Sequence, residues 1–247
     1  MIPIRDTIKS DSYPFVTTLI VVANIIVFIK ELLLGPALEE FVDIYGVVPI
    51  KFFSSTYIHH TSFLELITPL FTSMFIHGDI LHILGNLWFL WIFGDNVEDK
   101  MGHFKYLLFY LTSGIVAMVF HIVTNSMSQV PAVGASGAIA GVMGAYMILF
   151  PMSRILTLVP IIIFFSFIEL PAFFFLGLWF VYQFLLGTLT LGMQGVGGIA
   201  FWAHIGGFIW GFFIAILFKT TIRTRKKIVF RKHKVDWDKV FSEDDER

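Results

Sequence analysis

The sequence predicts an all-α, polytopic membrane protein built from six transmembrane helices. Of the 247 residues, 57% are hydrophobic and only 14% are charged, whereas an ordinary soluble domain is roughly 25% charged. The apolar residues are grouped into long stretches, and basic residues lie just outside the first and the last of them. The chain has no cysteine, which excludes disulfides, thiolate catalysis and zinc-thiolate sites.

Seven apolar stretches are candidates for the membrane-spanning helices. They cover residues 15–34, 80–93, 104–123, 136–150, 155–170, 171–186 and 201–218. Several are shorter than the roughly 20 residues that cross a bilayer core upright, which predicts a thinned bilayer or a partly wet interior. The first stretch is long and no small-residue cleavage site follows it, so we interpret it as a retained helix and not as a signal peptide.

Basic residues at both ends set the predicted orientation and the number of spans. Arg5 and Lys9 precede the first helix, and the stretch 219–234 after the last helix is rich in Lys and Arg. By the positive-inside rule both termini are expected in the cytoplasm, which requires an even number of spans. We exclude 155–170, which contains Pro160 in its middle, and expect it to be extended or re-entrant near the inner surface.

The predicted organisation has three parts. Residues 1–14 form a cytoplasmic N-terminus, 15–218 the six-helix membrane domain and 219–247 a charged cytoplasmic tail. The basic part of the tail anchors the topology, with binding to anionic lipid as the alternative, and its acidic end is expected to be disordered. On the outer side, the segment 35–76 is expected to lie in the outer leaflet and the Gly-rich loop 188–198 to be mobile.

Two polar side chains stand in otherwise apolar helices and are predicted to be functional. Ser136 opens the fourth predicted helix between Gly134 and Gly137, and His204 lies near the start of the sixth. With six spans both helices enter from the outer face, so the two side chains lie at similar depth. A serine becomes a useful nucleophile when a neighbouring base takes its proton, and the start of a helix favours developing negative charge. The alternatives are structural: an N-cap serine in a small-residue packing face, and a core histidine bonded to a carbonyl.

Glycine spacing predicts that these two helices meet. His204 is followed by Gly207 and Gly211, a spacing that lets a helix approach its neighbour very closely. The fourth helix offers Gly137, Gly141 and Gly144 on its side. We therefore expect the two small-residue faces to pack together and to bring the histidine to the serine.

The second predicted helix supplies a further polar element. His82 and Asn86 are four residues apart and so share one face, where two uncharged donors suit an oxyanion hole. His77 precedes the helix and is expected to brace the preceding loop. A three-imidazole metal site of His77, His82 and His204 is the alternative, but no nearby carboxylate offers the general base of a metalloprotease, and no metal is expected. Glu169 is predicted near the opposite membrane face, so a Ser/His dyad is favoured over a triad.

Together these residues resemble the rhomboid family of intramembrane serine proteases. The resemblance rests on Gly134-Ala135-Ser136-Gly137, on Ala203-His204 with Gly207 and Gly211, and on His77, His82 and Asn86. It implies a six-helix core with Ser136 as nucleophile and His204 as base. It also implies an oxyanion hole formed by His82, Asn86 and the backbone N–H of Ser136. Substrates are implied to be transmembrane segments, cleaved near small residues, that enter past the fifth helix and beneath the loop 188–198.

Two positions depart from the family pattern. Many relatives carry a Trp-Arg pair in the outer loop after the first helix, where this chain reads Leu66-Ile67-Thr68-Pro69-Leu70. Relatives often place an aromatic residue one turn after the nucleophile to stack on the base, where this chain has Ala140. We therefore expect His204 to be braced instead by Phe201, Trp202 or Trp179.

The sequence thus predicts an intramembrane serine endopeptidase of the cell membrane, with its active site toward the outer face and with no cofactor. Its expected partners are transmembrane substrate proteins and membrane lipid, and not nucleic acid. One alternative is a catalytically silent rhomboid-like protein that binds transmembrane clients, against which the intact Ser136 and His204 argue. The other is a small transporter or channel that relays protons through its histidines. The lack of an inverted repeat and an expected lack of buried carboxylates argue against this alternative.

Overall fold

The computed structural model describes residues 1–161, 164–191 and 199–232, and most of them are helical. The helices are α1 Phe15–Leu34, α2 Leu38–Tyr45, α3 Ser55–His60, α4 Phe63–Thr72, α5 Ile80–Met101, α6 His103–Thr124, α7 Ser136–Leu149, α8 Ala172–Leu189 and α9 Phe201–Lys232. Short 3₁₀ turns at Gly35–Ala37, Pro49–Phe52 and Ser73–Phe75 join α1 to α5 through the three short helices. The predicted helical, polytopic fold is confirmed.

Five helical segments in the described part of the chain are long and apolar enough to cross a membrane. They are Phe15–Tyr45, Ile80–Met101, His103–Thr124, Ala172–Leu189 and Phe201–Thr220. Helix α7 is apolar but has only 14 residues. The predicted count of six spans is consistent with these five segments and α7.

The last helix continues past its predicted end at residue 218. Helix α9 runs to Lys232, so the start of the predicted tail extends the helix. The rest of the tail, with its predicted acidic disorder, lies outside the described residues. The predicted mobile loop 188–198 starts within α8, which ends at Leu189. Residues 192–198 of this loop lie outside the described residues.

The segment excluded from the span count is a β-hairpin. Strands β2, Arg154–Ile161, and β3, Phe164–Pro171, pair antiparallel, and the N-terminal strand β1, Ile2–Asp6, adds to the other side of β2. Proline lacks the N–H that a central strand needs. Since β1 pairs with β2 only as far as Leu158, Pro160 has a neighbouring strand on one side alone. The extended alternative is therefore the correct one.

Asp6 connects this sheet to the helical bundle. Its carboxylate accepts hydrogen bonds from the Tyr146 hydroxyl of α7 and, at 2.9 Å, from Nδ2 of Asn96 on α5. Burial raises the pKa of Asp6 from 3.8 to about 6, because desolvation of the carboxylate outweighs the hydrogen bond from Tyr146. The end of α7 opposite Ser136 is thereby attached to the N-terminal strand.

The segment between α1 and α5 contains short amphipathic helices. Helix α4 begins with a capping box: Oγ of Ser62 accepts from the Glu65 N–H at 3.3 Å, and the Glu65 carboxylate accepts from the Ser62 N–H at 2.8 Å. Phe63 and Leu64 at the start of α4 are exposed, as the predicted position in the outer leaflet requires. The stretch 66–70, which lacks the Trp-Arg pair, is part of this helix.

Helix α7 is the central helix of the bundle. Every residue from Gly137 to Tyr146 is buried, and α7 packs against α5, α6, α8 and α9. Its contact with α9 is made by backbone: a Cβ on Gly207 would overlap the carbonyl oxygen of Gly137, and a Cβ on Gly211 would overlap that of Gly141. The predicted meeting of two small-residue faces is confirmed.

Candidate active site

Ser136 and His204 meet at the end of the bundle that lies away from the sheet. Ser136 is the first residue of α7, and His204 lies in the first turn of α9. The Ser136 hydroxyl donates a hydrogen bond to Nε2 of His204 across 2.7 Å. The imidazole is enclosed, since only 8% of His204 is exposed. A neutral imidazole at this distance can take the hydroxyl proton while the oxygen attacks a carbonyl carbon.

The backbone before Ser136 leaves its hydroxyl available. The N-cap of α7 is Ala135 and no side chain caps the helix, so the N-cap role considered for Ser136 is wrong. Gly134 has a φ of 118°, which glycine adopts readily. Its N–H donates to the carbonyl oxygen of Ser73 at 2.8 Å, which fixes the turn into α7. The Ser136 N–H lies in the first helical turn, where N–H groups have no acceptor within the helix.

His82 and Asn86 border the same turn from α5. The position that a Cβ on Gly134 would occupy lies 2.6 Å from Nε2 of His82 and 3.5 Å from Nδ2 of Asn86. Nδ2 of Asn86 is buried and has no hydrogen-bond partner among the described residues. A buried donor without a partner is costly. Two side-chain nitrogens from one helix face therefore lie beside Gly134, two residues before Ser136.

His77 supports this arrangement from the loop before α5. Its ring packs edge-on against the His82 ring at 5.1 Å between centroids, and its Nδ1 lies 3.3 Å from the carbonyl oxygen of Phe75. Its backbone N–H donates to the carboxylate of Glu31 on α1 at 3.0 and 3.1 Å. Burial lowers the pKa of His77 to about 4, with proximity to His82 adding to the effect, so its ring is neutral at physiological pH.

The expectation that the membrane region buries no carboxylate is wrong. Glu31 on α1 is 2% exposed, and Glu98 on α5 is fully buried. The Glu98 carboxylate accepts from the backbone N–H groups of Val16 and Thr17 at 2.7 and 2.8 Å, so it fixes the start of α1 to α5. Both carboxylates are occupied by backbone donors, as buried charges require.

A further polar contact of His204 was not predicted from the sequence. Nδ1 of His204 donates to Oε1 of Gln183 on α8 across 2.9 Å, and Gln183 is buried. Gln183 stands 21 residues before His204 in the chain. The one signal in the sequence is that it is the single side-chain amide within an apolar helix.

The aromatic brace of His204 also comes from α8. The ring of Trp179 lies 5.8 Å from the His204 ring at an interplanar angle of 37°. Trp202 instead packs against Phe120 and Phe184 and donates to the carbonyl oxygen of Gly187 at 3.1 Å. Of the braces expected in place of an aromatic at Ala140, Trp179 is confirmed and Trp202 is wrong.

Phe201, the third brace considered, packs toward α8 at another place. Its Cβ lies 3.3 Å from the position that a Cβ on Gly187 would take. Among the described residues, the structure records an aromatic contact to His204 from Trp179 alone.

The histidines do not converge on one point. His77 and His82 contact each other, whereas His204 engages Ser136 and Gln183. Within residues 1–161, 164–191 and 199–232, no group of three or more His, Asp or Glu side chains is placed to hold a metal ion.

Comparison with known proteins identifies the family. Residues 65–220, more than half of the chain, match the Rhomboid domain. The matched range includes α5 to α8 and the first part of α9, and therefore Ser136, His204, His82, Asn86, His77 and Gln183. The chain belongs to the rhomboid family and is a membrane protein with several spans.

Several curated relatives share part of this region. Presenilin-associated rhomboid-like protein A, mitochondrial, of Danio rerio is 29% identical over 134 residues, which are 52% of this chain and 32% of the relative. Rhomboid protein 1, mitochondrial, of Saccharomyces cerevisiae is 32% identical over 91 residues, 35% of this chain and 26% of the relative. "Putative rhomboid protease YdcA" of Bacillus subtilis is 36% identical over 83 residues, 34% of this chain and 39% of the relative. The aligned regions thus span less than half the length of these relatives.

Proposed function

We propose that this chain is an intramembrane serine endopeptidase that cleaves transmembrane segments of membrane proteins. The observation that carries the proposal is the 2.7 Å hydrogen bond between Oγ of Ser136 and Nε2 of His204. The two groups come from separate buried helices, and their meeting depends on the glycine contact between α7 and α9. A hydroxyl and an imidazole in apolar helices are expensive to maintain without a function.

The proposed reaction begins with attack of Oγ of Ser136 on the scissile carbonyl carbon. Nε2 of His204 takes the hydroxyl proton, and the carbonyl oxygen becomes an oxyanion. When the C–N bond breaks, His204 returns that proton to the leaving amine, and an acyl-enzyme on Ser136 remains. Water then attacks the ester, gives one proton to His204 and releases the new carboxyl group, after which the proton returns to Oγ.

The oxyanion is proposed to bind between three donors. These are the His82 side chain, Nδ2 of Asn86 and the backbone N–H of Ser136. The buried, unpartnered Nδ2 of Asn86 supports this assignment, because such a donor is stabilised once an anion accepts its hydrogen bond. The start of α7 adds the positive end of a helix dipole at the same place.

The proposed partners are transmembrane substrate proteins, cut near small residues, and the surrounding lipid. We propose the cell membrane as the location, with both termini in the cytoplasm and the site toward the outer face. The position of Ser136 at the end of α7 away from the sheet supports this orientation, since the sheet contains the N-terminal strand. The names of two of the relatives above state a mitochondrial location for those proteins.

Labelling with a serine-directed fluorophosphonate tests the proposal. The purified protein in detergent is expected to be labelled at Ser136 and to cleave a reporter transmembrane substrate. Ser136→Ala and His204→Ala are expected to lose both activities while they elute and melt like the wild type. Ser128→Ala, which removes a hydroxyl from the loop before α7, is the matched control and should behave as wild type. Near wild-type turnover in either dyad variant would exclude the mechanism, and a wild type without labelling or cleavage would indicate a silent client-binding protein.

A further inference from the structure

Both side chains that hold the His204 ring come from one helix, α8. Gln183 accepts the Nδ1 hydrogen bond at 2.9 Å, and the Trp179 ring packs beside the imidazole at 5.8 Å between centroids and an interplanar angle of 37°. The two residues are four positions apart, so they project from the same face of α8. One helix therefore restricts the orientation of the imidazole through a hydrogen bond to Nδ1 and through an aromatic contact with the ring.

The hydrogen bond to Gln183 selects the catalytically useful tautomer of the ring. A neutral imidazole carries one proton, and the nitrogen that bears it is set by the partner of the other nitrogen. Oε1 of an amide can only accept, so Nδ1 of His204 must carry the proton. Nε2 is then left with a lone pair that faces the Ser136 hydroxyl at 2.7 Å. The opposite tautomer would present an N–H to the serine and could not take its proton.

The surroundings of Gln183 indicate a role beyond packing. The exposed side chains of helix α8 are mostly apolar, and Phe174, Leu178 and Leu185 are among them. An amide in such a helix is costly unless it is hydrogen-bonded, and leucine would fill a similar volume without that cost. In the described contacts the amide oxygen is directed at the one ring nitrogen that Ser136 does not use.

We infer that Gln183 is a positioning residue that completes a Ser136–His204–Gln183 chain, and that Trp179 holds the ring plane of the same base. This inference rests on the proposed function and replaces the expected dyad with a triad whose third member is neutral. A neutral third member orients the imidazole without adding a negative charge beside it. A carboxylate in the same place would also stabilise the protonated ring that forms during the reaction.

Substitution of Gln183 by leucine and by glutamate tests the inference. Gln183→Leu keeps the volume and removes the acceptor, and kcat should fall roughly 10- to 100-fold with KM within about twofold, since a buried Nδ1–H loses its partner. Gln183→Glu restores an acceptor and should recover most of kcat. As the medium is acidified, the Gln183→Glu variant should lose activity at a higher pH than the wild type does. The reason is that a nearby anion favours the protonated imidazole, which cannot accept the serine proton. Tyr182→Phe, which removes a neighbouring exposed hydroxyl from α8, is the matched control and should leave all parameters unchanged.

The brace is tested in the same assay. Trp179→Phe keeps an aromatic face and should retain kcat within about threefold, whereas Trp179→Ala should lower kcat roughly 10-fold or more by the same loss of orientation. A merely structural role would change the melting temperature of these variants and leave the pH profile of Gln183→Glu unmoved.

Two results would overturn the inference while leaving the proposed function intact. One is Gln183→Leu with wild-type kcat. The other is Gln183→Glu with the same low kcat as Gln183→Leu and no shift in its pH profile, although both proteins melt like the wild type. Fluorophosphonate labelling of Ser136 in the wild type is measured first, because its absence would refute the serine protease itself and not the role of Gln183.

Discussion

Gly207 on α9 lies directly against the backbone carbonyl of Gly137 on α7, with no room for a side chain between them. Gly211 and Gly141 repeat the contact one turn along. The two helices that carry the proposed nucleophile and base therefore touch through their backbones. The distance between the Ser136 hydroxyl and the His204 imidazole therefore depends on Gly207 and Gly211 having no Cβ.

Gly207→Ala should separate α7 from α9 and damage both stability and activity. The added Cβ must displace backbone, and overpacking of this kind costs about 1–3 kcal/mol. We expect a melting temperature several degrees below that of the wild type and at least about a 10-fold loss of kcat. Gly177→Ala on α8 is the control: nothing lies within 4 Å of its added Cβ, and alanine favours a helix. Gly207→Ala with wild-type melting and turnover would contradict the backbone contact.

His82→Ala and Asn86→Ala should each lower kcat roughly 10²- to 10³-fold, the usual loss for one oxyanion donor. KM should change little, because the donors act on the transition state and not on the bound substrate. Steady-state cleavage of a reporter transmembrane substrate measures both parameters. Gln129→Ala removes an exposed amide at the same end of the bundle and serves as the control. A rise in KM with unchanged kcat would make this face of α5 a substrate-binding surface instead.

Asp6 should make the stability of the sheet end depend on pH. Its folded-state pKa of about 6 lies above its ordinary value of 3.8, so the folded protein holds the proton more tightly than the unfolded chain. The stabilisation is fully present below about pH 4 and is lost as the pH rises through about 6. Asp6→Asn keeps an acceptor for Tyr146 and removes the charge.

The melting temperature of the wild type should therefore fall relative to that of Asp6→Asn as the pH rises from about 4 to about 7. Carboxylates that do not interact with Asp6 titrate equally in both proteins, so the difference between the two melting curves reports Asp6 together with its charged neighbour Asp95. A difference that stays constant across this range would show that Asp6 has an ordinary pKa in the folded state.

Single cysteines should report the orientation without background, because the chain has no native cysteine. Ser128→Cys lies in the loop before α7 and should react with an impermeant maleimide from outside intact cells. Ser242→Cys in the charged tail should react only after lysis, as expected from the basic residues of 219–234. Labelling of both positions from outside would reject an even number of spans.

The proposed catalytic pair could be predicted because polar residues are conspicuous in apolar sequence. Ser136 and His204 stand out for this reason, and the glycine spacing after His204 indicated which helices meet. Gln183 is equally isolated, but α8 is apolar on all sides and offers no periodicity that would assign its faces. Without an assigned face, the sequence could not place Gln183 beside the histidine, and it offered Trp179 only as one of three possible braces.

The β-strands could be predicted only in part from the sequence. An apolar stretch with no alternation fits a buried strand and a helix equally well, so 155–170 could be excluded as a span only through its proline and the charge rule. Strand β1 was missed because it has five residues and its partner on β2 lies about 150 residues further along the chain. Pairing over such a distance leaves no mark in local composition.

The contact between Gly207 and Gly137 also bears on how activity responds to heat. Where side chains set the distance between two catalytic groups, they can rearrange gradually on warming. The α7 and α9 backbones are in direct contact and have no side chains between them to rearrange, so we expect the two helices to separate in a single step. Catalytic rate should therefore rise with temperature up to the onset of helix separation, and then vanish within the same narrow interval as the unfolding transition. The upper working temperature of the protein is then the temperature at which α7 and α9 separate.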